Sequence, residues 1–441
     1  MHKLQSPGRS TVDQISATVR HLDEHIQENG YMPASLTYDW YKPCWFRDSS
    51  MVAMSLVEAA KHLSLLRQDH LQHTKETALN AVRRQLGFLW GSFNNFIENV
   101  QIGLSLPIED DSKFLRLDAH LPARVGNNGR LYSGHAWGQP VSDTVDNGTW
   151  LRQYDSLPLL LMATRDYISA FGIEGIETPI RTIRDNMKLI MDYMAKVYKS
   201  PSSSIWEIDP HQLHSTTLAA IYRGFASAIE ISHKLDIEVP PWRMERLSRM
   251  DKFISDFFVK HNMLFKSKNV WKPDRSGFES EPVNELDASS IFVFTKFRPP
   301  SVTAEIEAKT MNAIDNTLFR GIRLPIHHYL PIRFLGDTYF YGGRWLLLGL
   351  EAAKYYMRNG NTEKAQRIIS YVGSRYTANG NVMLPEQEIV DPASDCDPDN
   401  YYKRNGCSVI KDLAWSEAAH LSALVDLNNL KMRNQLLRGA R

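Results

Sequence analysis

The stretch from Phe46 to Leu66 reads FRDSSMVAMSLVEAAKHLSLL, and it indicates how the chain is built. Its apolar residues recur at helical spacing and cover most of the surface of the helix that they predict. A helix of this kind is buried on both sides, so other helices have to pack around it. The stretch therefore belongs to the interior of an all-α structure.

Helical periodicity continues along the chain, and alternating strand patterns are few. Residues 98–148 lack periodicity, and loops of this length tend to be functional. Long loops follow every other helix and therefore gather at one end, which predicts an α/α toroid of about twelve helices with its active site at the loop-rich end. Besides residues 46–66, helices are predicted near residues 10–28, 69–97, 150–170, 176–198, 213–235, 242–261, 302–318, 339–357, 363–376 and 411–430, with a short apolar run at 291–294.

The chain has 441 residues, of which 43% are apolar and 23% are charged, as in ordinary globular proteins. Its 51 Lys and Arg residues balance 50 Asp and Glu residues, so no basic surface predicts a nucleic-acid partner. No apolar run is long enough to span a membrane, and the first residues lack the hydrophobic segment of a signal peptide. We therefore expect one cytoplasmic domain over residues 1–441, and the oligomeric state stays open.

Metal and cofactor motifs are not evident in the sequence. Three cysteines are too few and too scattered for a disulfide framework or a metal site; Cys396 and Cys407 could close a small loop, but free thiols are expected. His21 and His25 lie four residues apart and can share a helix face, yet their polar neighbours predict a solvated surface. No phosphate-binding loop, dinucleotide fingerprint or HExxH motif occurs, so we expect no cofactor and no metal.

Two carboxylates in apolar surroundings are candidates for acid–base chemistry. Glu207 stands between Trp206 and Ile208, and Glu386 follows Leu384 and a proline. Poor solvation disfavours the charged form of a carboxyl group, which suits Glu207 to the role of a general acid. Two such groups facing each other across a cleft are the minimum equipment for hydrolysing a glycosidic bond. Alone, either Glu is more simply explained as part of the polar face of a helix.

Aromatic and charged residues cluster in loops, and this composition suits carbohydrate binding. Arg47 and Asp48 offer a donor fork beside an acceptor for adjacent sugar hydroxyls, although Asp48 could instead cap a helix. Trp137 lies in a loop where it could cover a sugar face. Arg333 begins another charged and aromatic run, which ends at Trp345. Each cluster alone is explained by packing or capping.

Together these segments resemble the glucoamylase family, glycoside hydrolase family 15, over nearly the whole chain. The pieces that occur in the order of the family are Trp45-x-Arg47-Asp48, Trp137-Gly138-x-Pro140, Trp206-Glu207, Arg333 with Asp337-Thr338-Tyr339, Leu384-x-Glu386-Gln387 and Leu413-x-Trp415-Ser416. No single piece is decisive, but their common order and spacing are a strong signal.

The resemblance implies an (α/α)6 barrel and an inverting, exo-acting α-glucosidase with a small carbohydrate as its substrate. Glu207 would be the general acid that protonates the departing oxygen, and Glu386 the base that activates water on the opposite face. The two carboxyl groups would then lie roughly 6.5–9.5 Å apart. The residues implied to bind the sugar or to line its pocket are Tyr41, Trp45, Arg47, Asp48, Trp137, Trp206, Arg333 and Trp415, with Asp337 orienting Arg333.

The chain departs from the family on the side of the leaving group. Fungal members have a second Glu directly after the acid, where this chain has Ile208, and the segment that follows Trp137-Gly138 differs as well. A preference for long α-1,4 chains is therefore in doubt, and isomaltose or an isomalto-oligosaccharide is the expected substrate.

Three alternatives stay open. One is a glucoamylase for maltooligosaccharides. Another is an α,α-trehalase of the same family, because Gln153-Tyr154-Asp155 resembles a segment of trehalase-like members. The third, outside enzymes, is a non-catalytic barrel that binds glucosides. The presence of both Glu207 and Glu386 argues against this last alternative, since a binding module needs no acid opposite a base.

Overall fold

The computed structural model describes residues 10–36, 41–106, 121–130, 133–136, 139–142, 153–207, 212–269, 282–283, 286–320, 329–335, 337, 343–378, 381–388, 408–409 and 412–439. Helices dominate this part of the chain. They are α1 (Thr11–His25), α2 (Phe46–Leu66), α3 (Gln72–Asn94), α4 (Ile97–Ser105), α5 (Ser156–Phe171), α6 (Glu177–Val197), α7 (Ser215–Lys234), α8 (Pro241–Phe258), α9 (Ser290–Phe292), α10 (Ala304–Thr317), α11 (Leu346–Arg358), α12 (Thr362–Tyr376) and α13 (Ala414–Gly439). A 3-10 turn, Asp69–Leu71, precedes α3, and α9 continues as a π-helical turn, Val293–Phe297.

Six helical segments form a closed inner ring. α2 packs against α5, α5 against α7, and α7 against the π-helical turn that continues α9; this turn packs against α11, α11 against α13, and α13 again against α2. Outside this ring, α3 packs on α2, α6 and α8 on α7, α12 on α11, and α1 on α13. Outer and inner helices thus alternate along the chain, with α4 as an addition. This arrangement is an (α/α)6 barrel, as the sequence predicted.

The inner helices are buried over most of their surface, as predicted for α2. The buried set of α2 contains polar as well as apolar residues, because both of its faces meet other helices. An outer helix has a single buried stripe instead, and in α6 this stripe includes Ile183, Met187 and Ile190. Small residues let the inner helices approach each other closely: a Cβ atom on Gly224 of α7 would lie 2.4 Å from the Cα of Pro158 in α5.

Local signals mark the starts of several outer helices. Ser10 accepts a hydrogen bond from the Asp13 amide, and the Asp13 carboxylate accepts one from the Ser10 amide, so that the two residues form a capping box for α1. Thr303 caps α10 by accepting from the Ile306 amide. Pro241 begins α8, at the position where the missing N–H of proline does no harm.

The connections at the two ends of the ring differ in length. Each inner helix leads to the next outer helix through a short connection, residues 67–71, 172–176, 235–240, 298–303 and 359–361. The connections that lead into the inner helices are long, residues 26–45, 106–155, 198–214, 259–289, 318–345 and 377–413. All inner helices therefore begin at the same, loop-rich end of the barrel.

Short antiparallel strands join some of the long connections to one another and form hairpins within others. The pairs are β1 (Cys44–Trp45) with β2 (Arg124–Val125), β3 (Ser133–Ala136) with β4 (Gln139–Ser142), β6 (Val259–Lys260) with β7 (Met263–Leu264) and β11 (Thr377–Ala378) with β12 (Asn381–Val382). The three-stranded sheets have the orders β5 (Gln212–His214), β8 (Ser267–Asn269), β9 (Pro282–Val283) and β10 (Arg344–Trp345), β13 (Gln387–Glu388), β14 (Ser408–Val409).

Several helix boundaries predicted from the sequence are wrong: the helix predicted over residues 150–170 begins only at Ser156, and the one predicted over 411–430 extends to Gly439. Two further differences have a visible cause. The helix predicted over residues 69–97 is interrupted after Asn94, because the Asn95 side chain turns away to donate to the Gly129 carbonyl at 2.9 Å. The chain then forms α4 inside a stretch that was predicted to be irregular, and α4 packs on α6. The helix predicted from residue 339 begins only at Leu346, because the two residues before it belong to strand β10.

The predicted solvated face of α1 is also wrong. His25 is almost completely buried, and His21 is largely covered, because this face meets Asp412 and Glu417 at the start of α13. Cys44 is buried with a free thiol, whereas Cys396 and Cys407 lie outside the described residues. Within the described part of the chain, no helix is both long and apolar enough to cross a membrane.

Candidate active site

The candidate residues lie in the connections that lead into different inner helices, or in the first turns of these helices. Several long connections thus contribute to the site. Tyr41 and Trp45 precede α2, Arg47 and Asp48 lie in its first turn, Trp206 and Glu207 precede α7, Arg333 and Asp337 precede α11, Glu386 directly precedes β13, and Trp415 lies at the start of α13.

Glu207 ends a tight turn and meets the start of α2. Its amide donates to the Ser204 carbonyl at 2.9 Å, and its φ of 61° lies in the left-handed region that side chains other than glycine rarely adopt. Its Oε1 accepts hydrogen bonds from Trp45 Nε1 at 2.8 Å and from Arg47 Nη2 at 3.1 Å. Because both donors meet Oε1, Oε2 is the atom on which a catalytic proton can reside.

Glu207 was predicted to be poorly solvated, but in the structure its neighbour Trp206 is buried more deeply. The Glu207 side chain is 24% exposed, because the turn sends its neighbour Trp206 into the core instead. Trp206 Nε1 donates to both carboxylate oxygens of Asp287, at 3.1 and 3.2 Å. Asp287 also accepts from the Ser289 amide at 2.6 Å. The turn that presents Glu207 is therefore held from the side of the core.

Arg47 is buried and donates almost all of its N–H groups to protein acceptors. Nε donates to Asp48 Oδ1 at 2.9 Å, and Nη2 donates to Glu207. Nη1 donates to the Ile205 carbonyl at 2.8 Å and to Gln153 Oε1 at 3.3 Å. Four of the five donors of the guanidinium thus have partners among the described residues. This geometry makes Arg47 a residue that positions Glu207, and it leaves one N–H for a ligand.

Three carboxylates surround Arg47. Burial disfavours its charge, but the charges of Asp48, Glu207 and Asp155 together outweigh this effect and raise its pKa. The alternative explanation of Asp48, a cap of α2, is not supported: among the described residues no side chain caps this helix, and Asp48 accepts from Arg47 instead. Burial raises the pKa of Asp48, against the attraction of Arg47, and the charge of Glu207 raises it further. The first turn of α2 is therefore a compact, strongly coupled group of charges.

Glu386 is the more deeply buried of the two candidate catalytic carboxyls. It is 6% exposed, and one of its oxygens, Oε1, accepts a hydrogen bond from the Tyr41 hydroxyl at 3.1 Å. Burial raises its pKa to about 8, because the lowering effects of Arg333 and of the Tyr41 hydrogen bond are smaller. The charges of Asp48 and Glu207 raise this pKa further. Glu386 therefore lies within electrostatic range of Glu207, in the same site.

Arg333 and Asp337 form a buried, two-pronged ion pair. Arg333 Nε donates to Asp337 Oδ2 at 2.7 Å, and Nη2 donates to Oδ1 at 2.6 Å. The guanidinium carbon lies 4.8 Å from the centre of the Trp345 ring and 5.6 Å from that of Trp206. The aromatic rings and Asp337 together fix the plane of the Arg333 guanidinium group. Asp337 thus orients Arg333, as expected from the sequence.

Aromatic rings line the rest of the site. The centres of the Tyr41 and Trp45 rings lie 5.5 Å apart. The residue that donates to Glu386 therefore packs against the residue that donates to Glu207. Trp415 stacks on Phe292 at 5.5 Å between ring centres, and Arg47 lies 5.0 Å from the centre of the Trp415 ring. Trp415 thus lies between Phe292 and Arg47, where its ring can form one wall of the site.

Sequence reasoning missed some supporting residues. Asp287 carries no signal in the sequence that ties it to Trp206, from which it lies 81 residues away. Gln153 and Asp155 were noticed only as a trehalase-like segment, yet they lie buried behind Arg47. Burial raises the pKa of Asp155 to about 6, and neither of its oxygens accepts a hydrogen bond from the side chains of other described residues. Trp137 and Ile208 lie outside the described part of the chain.

The arrangement provides two carboxyl groups, each hydrogen-bonded to an aromatic residue of the same pair, beside two buried guanidinium groups. Such a site can transfer a proton to one atom and withdraw a proton from another. Among the described residues of the site, the groups placed to exchange protons are the two carboxyl groups and the Tyr41 hydroxyl that donates to one of them.

Comparison with known proteins agrees with this chemistry. The model of the glycosyl hydrolases family 15 matches residues 98–376, whereas no curated protein matches the chain. A solved structure of a wild-type glycosidase is 19% identical, with a TM-score of 0.68, and the match covers 96% of this chain and 100% of the other. A variant glycosidase in complex with glucose is 18% identical, with a TM-score of 0.67 and coverage of 96% and 99%.

A glucoamylase supports the same fold. The enzyme from Saccharomycopsis fibuligera is 16% identical, with a TM-score of 0.60, and the match covers 96% of this chain and 95% of the other. At these identities the structures show a shared fold, while the match of the family model spans well over half of the chain. The chain therefore belongs to glycosyl hydrolase family 15, and it is a glycoside hydrolase.

Proposed function

We propose that this protein is an inverting exo-α-glucosidase that releases β-D-glucose from the non-reducing end of a short α-glucoside. One observation carries the proposal: the contacting rings of Tyr41 and Trp45 each bind one of two carboxyl groups, Glu386 and Glu207. Inverting hydrolysis requires an acid and a base around one small site, and these contacts support the assignment of the two roles to these carboxyl groups.

In the proposed mechanism, Glu207 is the general acid and Glu386 the general base. Glu207 gives the proton on Oε2 to the glycosidic oxygen as the bond to the anomeric carbon breaks, and Arg47 and Trp45 stabilise the carboxylate that forms on Glu207. Glu386 takes a proton from the water that attacks the opposite face of the anomeric carbon. A separation of roughly 6.5–9.5 Å between the two carboxyl groups would leave room for this water.

The ionisation of Glu386 depends on the charge of Glu207. The charge of Glu207 contributes to the raised pKa of Glu386, so protonation of Glu207 makes Glu386 easier to ionise. The productive state has its proton on Glu207, and the alternative state, with the proton on Glu386, is inactive. Substrate oxygen beside Glu207 Oε2 favours the productive state, because it accepts a hydrogen bond from the protonated acid.

Isomaltose or a short isomalto-oligosaccharide is the proposed substrate, and Arg47, Asp48, Arg333 and Trp415 are the proposed glucose-binding groups. The similar glycosidase structure in complex with glucose supports a pocket for a single glucose unit. A cytoplasmic location and a single catalytic domain over residues 1–441 remain part of the proposal. The buried position of Gln153 behind Arg47 gives the trehalase-like segment a supporting role, so this segment no longer singles out trehalose.

Proton NMR of a mixture of isomaltose, maltose and trehalose tests the reaction and the substrate together. The anomeric signal that disappears first identifies the linkage, and the anomer of glucose that appears before mutarotation identifies the stereochemistry. β-Glucose from isomaltose is expected. α-Glucose would mean retention and would refute Glu386 as the base for water, and binding without hydrolysis of any of the three would favour a non-catalytic barrel.

The two carboxyl roles can be assigned with α-glucosyl fluoride, whose leaving group needs little protonation. Glu207→Gln should lose activity on isomaltose but keep much of it on the fluoride, whereas Glu386→Gln should lose both activities. The opposite pattern would exchange the roles of the two residues.

A further inference from the structure

Four side chains, three of them buried and the fourth largely covered, converge away from the candidate active site, where α1 meets α13. His21 and His25 lie one turn apart on α1, and Asp412 and Glu417 lie just before and in the first turn of α13. Each side chain offers one possible ligand atom, a ring nitrogen or a carboxylate oxygen, and these four atoms all lie within 4.8 Å of one another. We name this group the seam cluster.

The closest contacts of the seam cluster are between its imidazoles and its carboxylates. His21 Nε2 lies 2.8 Å from Asp412 Oδ1 and 3.2 Å from Glu417 Oε1. His25 Nε2 lies 3.4 Å from Asp412 Oδ2. These distances bring two ring nitrogens and two carboxylates around one point, so a single ion could contact all four side chains.

The His25 ring is oriented as a metal ligand is. Its Nδ1 lies 2.8 Å from the His21 carbonyl oxygen, which can only accept, so Nδ1 carries a hydrogen and Nε2 faces the carboxylates. Imidazoles that bind metals characteristically donate their other N–H to such a carbonyl or carboxylate. Either a proton or a metal ion has to lie between Nε2 and the carboxylate oxygens that it faces.

Glu417 provides an independent sign of a missing partner. Its side chain is completely buried, and Oε2 accepts no hydrogen bond from any described residue. Oε1 contacts His21 and accepts a long hydrogen bond, of 3.4 Å, from the Leu384 amide. A buried carboxylate oxygen without a donor is costly to the fold unless a cation compensates its charge.

We propose that the seam cluster binds one divalent transition-metal ion of the zinc type. Two imidazole nitrogens and two carboxylate oxygens suit such an ion, and two negative charges cancel its charge. Zinc bonds of about 2.0–2.2 Å in a tetrahedral site place neighbouring ligand atoms about 3.4 Å apart. The widest separation, of up to 4.8 Å, therefore has to shorten by about 1.4 Å around the ion, while the contact of 2.8 Å has to lengthen.

Protonation of the two imidazoles is the alternative to a metal ion in the seam cluster. Burial opposes a charged imidazole at His21, but its hydrogen bonds with Asp412 and Glu417 outweigh this effect and raise its pKa to about 10. Two imidazolium and two carboxylate groups would also be neutral together. Zinc binding releases protons from the imidazoles, so the two occupants exclude each other and can be told apart by experiment.

The proposed ion would fasten α1 to α13. It would also support the segment that carries the candidate base, because Leu384 donates to Glu417 and lies two residues before Glu386. We therefore expect a structural effect of the ion on the closed ring, not a direct part in the chemistry of the sugar.

Metal-free full-length chain, prepared with a chelator, is the material for the test. After equilibrium dialysis against zinc, we expect about one zinc per chain, measured by mass spectrometry of the metal. Zinc at about 100 times its dissociation constant should lower the unfolding equilibrium constant about 100-fold. His21→Gln and Glu417→Gln should both abolish tight binding, whereas His73→Gln, at an exposed histidine of α3, should leave it unchanged.

X-ray absorption of zinc on the wild-type chain makes the test independent of how the variants fold. The proposal expects a first shell of four nitrogen and oxygen atoms at about 2.0–2.2 Å with scattering from two imidazoles. A shell that contains sulfur, or one without imidazole, would overturn the proposal. So would a chain that binds no zinc at micromolar concentration, or a folded Glu417→Gln variant that binds it as tightly as the wild type.

Discussion

Replacing Glu386 with glutamine should abolish catalysis and at the same time stabilise the folded chain at alkaline pH. Burial raises the pKa of this carboxyl to about 8 from its ordinary value of 4.5, at which the unfolded chain titrates. Below pH 4.5 the carboxyl is protonated in both states, so the full stability of the wild type is present there. As the pH rises to about 8, the unfolded chain ionises while the folded chain keeps its proton, and stability is lost.

The magnitude follows from the width of this pH window. Each pH unit between the two pKa values lowers the free energy of unfolding of the wild type by about 1.4 kcal/mol, which sums to about 5 kcal/mol by pH 8. Glutamine has nearly the same shape, does not ionise, and can still accept the hydrogen bond from Tyr41. We expect Glu386→Gln to be more stable than the wild type by roughly 2–5 kcal/mol at pH 8 and nearly equal to it at about pH 4.

Denaturant unfolding at about pH 4, 6 and 8 measures the difference in stability, and initial rates on isomaltose measure kcat. The loss of a general base should lower kcat by about 100- to 10,000-fold. Glu388→Gln is the matched control, because Glu388 lies two residues further on, where it accepts from the Tyr371 hydroxyl at 2.7 Å, and it should keep its kcat. A stability difference that does not change with pH would refute the burial argument, and an undiminished kcat would refute the catalytic role.

Three further changes test other parts of the structure. Trp45→Phe removes the N–H that binds the proposed acid and should lower kcat/KM about 10- to 100-fold. Trp90→Phe is its control: it loses a hydrogen bond of 2.9 Å to Thr164 and should lower only stability. Equal activities of the two variants would contradict the positioning role of Trp45. Tyr41→Phe removes a hydrogen bond that lowers the pKa of the proposed base, so the acidic limb of the kcat/KM profile should move to higher pH by about one unit, and an unmoved limb would exclude that contact from catalysis. Gly224→Ala forces a Cβ against the backbone of α5 and should lower the free energy of unfolding by about 1–3 kcal/mol. Gly91→Ala, with open space around its Cβ, should be neutral or stabilising. Thermal unfolding measures both changes in stability, and similar losses in the two variants would contradict the close helix contact.

The ring of helices could be predicted because its signal is spread over whole segments. The apolar surface of α2 indicates two buried faces at every turn, and such a pattern survives errors in helix boundaries. The break after Asn94 could not be predicted, because it depends on the contact between Asn95 and Gly129, which are close only in the folded chain. Propensity along the sequence contains no information about such a contact.

The candidate carboxyls could be found in the sequence, but their surroundings could not. The Trp206-Glu207 pair suggested a poorly solvated acid, yet the backbone turn separates the two side chains and buries only the tryptophan. The role of Asp287 depends on a hydrogen bond with Trp206, from which the sequence separates it by 81 residues. Likewise, the polar neighbours of His25 indicated a solvated face, because nothing near it in the chain reveals Asp412.

The closure of the inner ring by α2 and α13 has a consequence for how the chain folds. One partner of this contact lies at residues 46–66 and the other at residues 414–439, so the contact joins almost the most distant parts of the sequence. Contacts of such separation form late and slow the folding of a domain. During synthesis, the side of α2 that α13 will cover stays open until α13 emerges. Until α13 has emerged, the nascent chain is an incomplete ring, and we expect it to depend on protection from association with other chains.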